Sequence, residues 1–464
     1  MTTFAGIGVS PDLVTVLARH GIVEPFGIQA ATLPDSLAGR DVLGRGPTGS
    51  GKTVAFALPL VTRLAARNRT RRRGRPAGLV LVPTRELAVQ VERTVHFLAK
   101  AVGLRTMTVY GGVGYPGQLK NLAAGVDIVI ATPGRLEDLI ERGACDLSEV
   151  QVTVLDEADL MADMGFLPPV RRLLELTPPG QRLLFSATLD GDVDKLVTRY
   201  LDKPVTHSVE PPKERPAEHM VFLVTRENRH AVLVDLLGGL GRSLVFARTK
   251  HGAAKLAKDL SRAGVPATEL HGNLSQSVRQ RNLAAFSDGR VRVLVATDIA
   301  ARGIHVDDVA LVVHSDPPAE PKAFLHRSGR TARAGASGIV VTLCQQDQNR
   351  KVRAMMAAAG IGNARREVVA PGNDVIAEVR GELAPPQAYV PEPVVDHRFE
   401  PKRPRQAPVH GRGRPFGNAR GATKARAQLG TGAWGKPAQE RADTPKGNRK
   451  GQQPPKGGGP RGGR

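Results

Sequence analysis

Residues 44–53 read GRGPTGSGKT and run directly into the apolar segment VAFALPLV at 54–61. Gly46, Gly49 and Gly51 let the backbone curl so that successive N–H groups point inward at an anion, at the positive end of the helix that follows. The spacing from Gly46 to Gly51-Lys52-Thr53 fits the phosphate-binding pattern G-x-x-x-x-G-K-[ST]. In that pattern Thr48, Gly49, Ser50 and Gly51 cradle phosphates. Lys52 reaches the β- and γ-phosphates and Thr53 holds Mg²⁺. The loop predicts nucleotide binding and leaves the reaction open.

Outward from this loop, short β-branched runs alternate with helical stretches. They are LVLV (79–82), TMTVY (106–110), DIVIA (127–131), VTVL (152–155) and RLLF (182–185). Strands alternating with helices predict an α/β fold with a parallel sheet covered on both faces. Polar residues follow where the runs stop: Pro83-Thr84-Arg85, Thr132-Pro133-Gly134-Arg135, Asp156-Glu157-Ala158-Asp159 and Ser186-Ala187-Thr188. Ligands bind at the carboxyl ends of such strands, so one crevice can collect all of these groups. Before the loop, Ser10-Pro11-Asp12 opens a short helix that stops at Gly21.

Residues 203–218, KPVTHSVEPPKERPAE, are Pro-rich and charged and read as a linker. The pattern then restarts with VFLV (221–224), SLVFA (243–247), VRVLVA (291–296), ALVVH (310–314) and GIVVTL (338–343). This second domain resembles the first in outline and has no phosphate loop of its own. The expected organisation is a first domain at 1–205, a linker at 206–218, a second domain at 219–366 and a disordered basic tail at 367–464.

The formal net charge is +22 over 464 residues, of which residues 401–464 carry +14 and the rest +8. That excess points to a polyanion, either nucleic acid or an anionic membrane surface. No run approaches the ~18 apolar residues of a membrane span. The two cysteines, Cys145 and Cys344, lack zinc-site spacing. Together with an N-terminus free of a basic leader pattern, this predicts a cytoplasmic protein. The segment RNRTRRRGRP (67–76) reads as a mobile basic surface loop that adds affinity for a polyanion. Trp434 and Phe416 in the tail suit base stacking.

A phosphate loop needs a carboxylate for Mg²⁺ and another to orient water. Asp156 and Glu157, directly after an apolar strand, supply these in that order. Hydrolysis develops charge on the γ-phosphate, so a cation from elsewhere is expected. Arg330 and Arg333, three apart and on one helical face, are the candidates.

Taken together these motifs resemble the DEAD-box ATP-dependent RNA helicases, of the bacterial type with a basic Arg/Gly-rich tail. The order is PTREL at 83–87, Gly111-Gly112, TPGR at 132–135, DEAD at 156–159, SAT at 186–188, HGNLSQSVR at 271–279, ATDIAARG at 296–303 and HRSGRTARAG at 326–335. The resemblance implies two tandem RecA-like domains that close over ATP and single-stranded RNA. It implies that Phe4 and Gln29 recognise adenine, that Gly303 also lies at the nucleotide, and that Ser186 and Thr188 couple hydrolysis to domain movement. Arg330 and Arg333 contact the γ-phosphate. RNA backbone contacts fall on Arg85, Gly112, Thr132 and Arg135, and on Thr249, His271, Gly272 and Thr297. Such contacts carry no sequence code. The sequence does not name the RNA: ribosome assembly, mRNA decay and cold-induced structure removal are equally open settings.

The sequence departs from the family at Phe26, where Thr is usual, at Gly46, where Ala is usual, and at His305, where Asp is usual. The last predicts weaker nucleotide affinity through loss of a charge-assisted hydrogen bond. The expected activity is RNA-dependent ATP hydrolysis with unwinding of short duplexes or remodelling of RNA–protein complexes. The alternatives are a slow ATP-gated RNA clamp or annealing factor and, third, a DNA helicase.

Overall fold

The computed structural model describes residues 2–391, except 48, 67–69, 190, 210–216, 302–308, 333–336, 363 and 388. Thr48, Gly303, His305 and Arg333, the middle of the linker and the basic tail therefore lie outside the described residues.

The first domain holds β1 (Val42–Arg45), β2 (Gly78–Leu81), β3 (Thr106–Val109), β4 (Ile128–Ala131), β5 (Val152–Asp156), β6 (Gln181–Ser186) and β7 (Val205–Ser208). They form one parallel sheet in the order β3-β4-β2-β5-β6-β1-β7. The second domain holds β8 (Glu218–Leu223), β9 (Arg242–Phe246), β10 (Ala267–Leu270), β11 (Val293–Ala296), β12 (Val309–His314), β13 (Ile339–Cys344) and β14 (Arg365–Val368). Its parallel order, β10-β11-β9-β12-β13-β8-β14, repeats the first strand for strand. The two tandem RecA-like domains thus share one wiring.

Both faces of each sheet are buried because successive side chains on a strand point to opposite faces and here both sets are apolar. In the first sheet Val80, Ile128, Ile130, Val154 and Phe185 face the helices Lys52–Ala65 and Arg85–Ala101. Leu79, Leu81, Val129, Leu155 and Leu184 pack on the other side. The second sheet splits likewise, with Val245, Val295 and Val313 opposite Leu244, Leu294 and Val312. Each such fully buried side chain is worth about 1.5–3 kcal/mol of transfer free energy.

Two expected boundaries move. Val205–Ser208 pairs along β1, so the first domain extends into the stretch read as linker. The second domain does not end at residue 366. β14 pairs with β8, and the helix Asp374–Arg380 follows, capped by the Asn373 side chain accepting from Val375 N at 3.0 Å. Ile376 on that helix is fully buried in the core with Val232 and Leu236. Beyond it Gly239 bridges to Leu383, and Gln387 N donates to Gly264 O at 2.9 Å.

The basic loop is also tied down where it is described. Arg71 pairs with Asp127 at 2.7 Å and donates to Gly103 O, and Arg72 pairs with Glu149 at 2.8 Å. Arg75 reaches Asp146 and Glu149. These arginines close the loop onto its own domain, so their charge is shared with carboxylates.

Ile376→Ala should lower the stability of the second domain by about 2–4 kcal/mol, measured in the full chain by urea unfolding followed by far-UV circular dichroism. An unchanged transition would place the domain's end back at residue 366.

Candidate functional site

The strand order sorts the motifs before any side chain is considered. β5, β6 and β1 are neighbours, and their carboxyl ends carry Asp156-Glu157, Ser186 and the phosphate loop. β3, β4 and β2 are likewise neighbours, and their ends carry Gly111-Gly112, Thr132–Arg135 and Pro83-Thr84-Arg85. The corresponding half of the second sheet, β10-β11-β9, leads into His271-Gly272, Thr297 and Thr249.

Lys52 opens the helix behind the loop, after Gly51 in the left-handed region at φ 88°. A Cβ at Gly51 would also stand 2.4 Å from Gln29 Nε2, so glycine is required there twice over. Lys52 Nζ donates to Gly46 O at 3.1 Å and pairs with Glu157 Oε1 at 2.8 Å, both side chains being buried. Thr53 is the next residue of that helix. Glu157 sits at φ 54°, a conformation that costs a non-glycine residue of order 1–2 kcal/mol and is stored where strand turns to helix. Asp156 Oδ1 accepts from Glu157 N at 3.0 Å. Ser186 Oγ donates to Thr188 O at 2.7 Å and accepts from Asp159 N at 3.2 Å. Asp159 in turn accepts from both Thr188 N (2.9 Å) and Thr188 Oγ1 (3.0 Å).

Burial opposes the Lys52 ammonium, but Glu157, Asp156 and Asp159 outweigh it and hold its pKa above the usual lysine value. For Asp156, burial and the neighbouring Glu157 carboxylate push the pKa up to about 7. Three carboxylates thus face one ammonium. Among the described residues no group of three or more His, Cys, Asp or Glu is placed to hold a metal ion.

On the base side, Gln29 Oε1 accepts from Phe26 N at 2.9 Å and Gln29 Nε2 donates to Gly51 O at 3.0 Å. The amide ties the upstream segment to the phosphate loop, and it retains one lone pair and one hydrogen for a ligand. Phe4 is 1% exposed and packs in the core of the first domain. The aromatic beside the loop is Phe26, 60% exposed, with a ring carbon 2.6 Å from where a Cβ on Gly51 would stand.

Of the residues expected at RNA, Arg85, Thr132, Arg135 and Gly272 line a cavity of about 320 Å³ between the domains, together with Arg279 and Ile299, whereas Gly112, Thr249, His271 and Thr297 are not part of its lining. Gly112, at φ 79°, lets the Arg85 guanidinium lie against the chain, since a Cβ there would be 2.0 Å from Arg85 Nη1. Burial, then repulsion from Arg279 and Arg135, draws the Arg85 pKa below the usual arginine value despite Glu86 beside it. His271 is buried with neither ring nitrogen hydrogen-bonded, Glu269 lying 3.5 Å from Nε2. Thr249 caps the helix Lys250–Arg262, accepting from Gly252 N at 3.0 Å, and Thr297 N donates to Leu270 O at 3.2 Å.

Side chains that the motifs did not single out join the domains. Glu86 Oε1 accepts from Arg279 Nε at 2.7 Å and Gln276 Nε2 at 3.2 Å. Asp163, at the end of the helix that begins after Glu157, pairs with Lys322 and lies 3.6 Å from His326 Nε2. Arg330 Nε donates to His326 O at 3.4 Å, one helical turn further on. Glu86 and Arg279 lie inside recognisable motifs, but their pairing spans the two domains and has no local signature.

Residues 26–196 match the DEAD/DEAH box helicase family and residues 228–335 the helicase conserved C-terminal domain. The ATP-dependent RNA helicase RhlB of Pseudomonas putida is 38% identical over 369 residues, 77% of this chain and 93% of that protein. The chain belongs to the DEAD-box RNA helicase family. A rice relative, DEAD-box ATP-dependent RNA helicase 53, is 40% identical over 75% of this chain. The chain spans 59% of that protein's length and 49% of a Zea mays chloroplastic relative's. Among solved structures, S. cerevisiae Dbp5 bound to RNA and ADP BeF3 aligns with a TM-score of 0.69 at 27% identity, covering 82% of this chain and 99% of that one. Among the described residues of this family member, no helix is long and apolar enough to cross a membrane.

The raised Asp156 pKa carries a stability prediction. From the ordinary carboxylate value of 3.8 up to about 7, the folded state holds a proton that the unfolded state has lost, so this group's contribution falls as pH rises through that window. Asp156→Asn should therefore stabilise the nucleotide-free protein by about 2–4 kcal/mol at pH 8 and by clearly less at pH 5, read by chemical unfolding at both pH values. An equal gain at the two would contradict the assignment.

Proposed function

We propose that this chain is an RNA-dependent ATPase that closes its two domains over ATP and single-stranded RNA, separating short duplexes or displacing bound protein. The observation that carries this reading is the meeting of Arg85, Arg135 and Arg279, from both domains, on the cavity beside the DEAD strand. Such crowding of guanidiniums in a partly buried site favours an anion threaded between them. The likeness to a Dbp5 structure whose title names RNA and ADP BeF3 supports the same choice of ligands.

In this reading Lys52 leaves Glu157 for the phosphates when ATP enters, and Glu157 is freed to orient the attacking water. Thr53 and Asp156 hold Mg²⁺, which supplies neutralisation of the charge developing on the phosphate oxygens. Arg330 and Arg333 approach the γ-phosphate from the second domain. Asp159 links Ser186 and Thr188 to the catalytic strand, and Asp163 links the next helix to Lys322 and His326. A change at the phosphates is thereby transmitted to the domain contact. Contacts made to RNA phosphates leave the base sequence unread, and 2′-hydroxyl contacts distinguish RNA from DNA.

The test is steady-state ATP hydrolysis with and without single-stranded RNA. Strong stimulation by RNA, weak stimulation by DNA of the same sequence, and a fall of about 10²-fold or more in kcat for Glu157→Gln are expected. Arg85→Gln should raise the RNA KM by about tenfold, as expected for loss of one charge-assisted phosphate contact. Tight ATP-dependent RNA binding with negligible turnover in the unmodified chain would instead identify an RNA clamp. Equal stimulation by DNA would remove the RNA assignment.

A further inference from the structure

Beside Arg135 stands a group of side chains that the functional reading does not use. Tyr115 opens the helix Tyr115–Ala124, just beyond the Gly111-Gly112 turn. Its ring is sandwiched by two guanidiniums, with Arg135 Cζ at 4.2 Å from the ring centroid and Arg142 Cζ also at 4.2 Å. Its hydroxyl donates to Asp138 Oδ2. Asp138 also accepts from Arg142 Nε at 2.9 Å and lies 3.6 Å from Arg135 Nε. Arg135 Nη1 donates to Val113 O at 3.0 Å. Hydrogen bonds from Tyr115 and Arg142 hold the Asp138 carboxyl below the usual carboxylate range, so it stays ionised.

The chemistry of this stack suits one task. An unrestrained arginine has several rotatable bonds and loses that freedom when it grips a phosphate. Here the guanidinium plane is fixed on one face by an aromatic ring and along its edge by a carbonyl and a carboxylate, leaving the remaining N–H groups for the cavity it lines. Arg142 covers the opposite ring face and, through Asp138, keeps the ring from turning.

We infer that Tyr115, held by Asp138 and Arg142, is a positioning residue that presets Arg135 for an RNA phosphate. This rests on the proposed RNA-dependent ATPase activity and adds to it a residue outside the motifs that carry the family resemblance. Tyr115 does not touch RNA. It acts by lowering the ordering cost of the arginine that does.

The experiment is RNA-stimulated ATP hydrolysis by the full chain, with RNA KM, ATP KM and kcat measured for Tyr115→Ala and Tyr115→Phe, each alone and with Arg135→Gln. Tyr115→Ala is expected to raise the RNA KM about three- to tenfold, as for release of one immobilised side chain, with the effect concentrated in the RNA KM rather than in kcat or the ATP KM. Tyr115→Phe keeps the ring between the guanidiniums and is expected to recover most of that loss. In the Arg135→Gln background, Tyr115→Ala is expected to add little, because the side chain it presets is gone. An unchanged RNA KM for Tyr115→Ala, an equal loss with and without Arg135, or a parallel fall in kcat and in both KM values would overturn the inference. Absence of RNA stimulation in the unmodified chain would overturn the activity on which it rests.

Discussion

The buried pair between Lys52 and Glu157 is the constraint on which the first domain's working face depends. It joins the ends of two strands that are not neighbours, with β6 lying between them. Taking both charges out of water costs several kcal/mol per ion, which the 2.8 Å contact offsets only because the partners are fixed by a tight loop and a strained strand end. A pair bought at such cost is poised for exchange. A polyphosphate offers the ammonium more negative charge than one carboxylate does.

The rest follows from where strands stop. Because the order β3-β4-β2-β5-β6-β1 groups the strands in two sets of three, nucleotide chemistry and the cationic cavity occupy adjoining halves of one sheet edge. The helix after Glu157 runs between these halves, and it carries Asp163 to the second domain's Lys322 and His326. On the other side Glu86 meets Arg279 and Gln276. The two halves therefore share their supports: a displacement of the second domain disturbs both ion pairs together.

Ten of the strands could be read from their apolar runs, since a strand buried on both faces has little choice of side chain. Those that escaped are β1, β7, β10 and β14. β1 has four residues and merges into the glycine loop, and β10 carries Thr268 and Glu269 among only four residues. β7 and β14 lie at sheet edges, where VTHS and RREV are half exposed and polar residues are tolerated. Edge strands keep aggregation in check by such residues, which is also why the expected start of the tail at residue 367 falls inside β14. The phosphate loop, Asp156-Glu157, Arg85 and Arg135 stand at strand ends because the apolar runs before them fix their placement; Arg279, the third arginine of the cavity, has no such signal. The ion pairs of Glu86 and Asp163 depend on the other domain's position, which no local pattern encodes.

The repeated strand order has a further consequence. The two domains share one wiring, but only the first carries a phosphate loop. Joining the halves turns what would be a bimolecular encounter into an intramolecular one. With β7 ending at Ser208 and β8 starting at Glu218, the connection extends to roughly 36 Å at most, which keeps the second domain at an effective concentration of order millimolar around the first. Lengthening a flexible tether dilutes that only slowly, by about 0.6 kcal/mol per doubling. The covalent joint thus makes the meeting of the two domains independent of protein concentration.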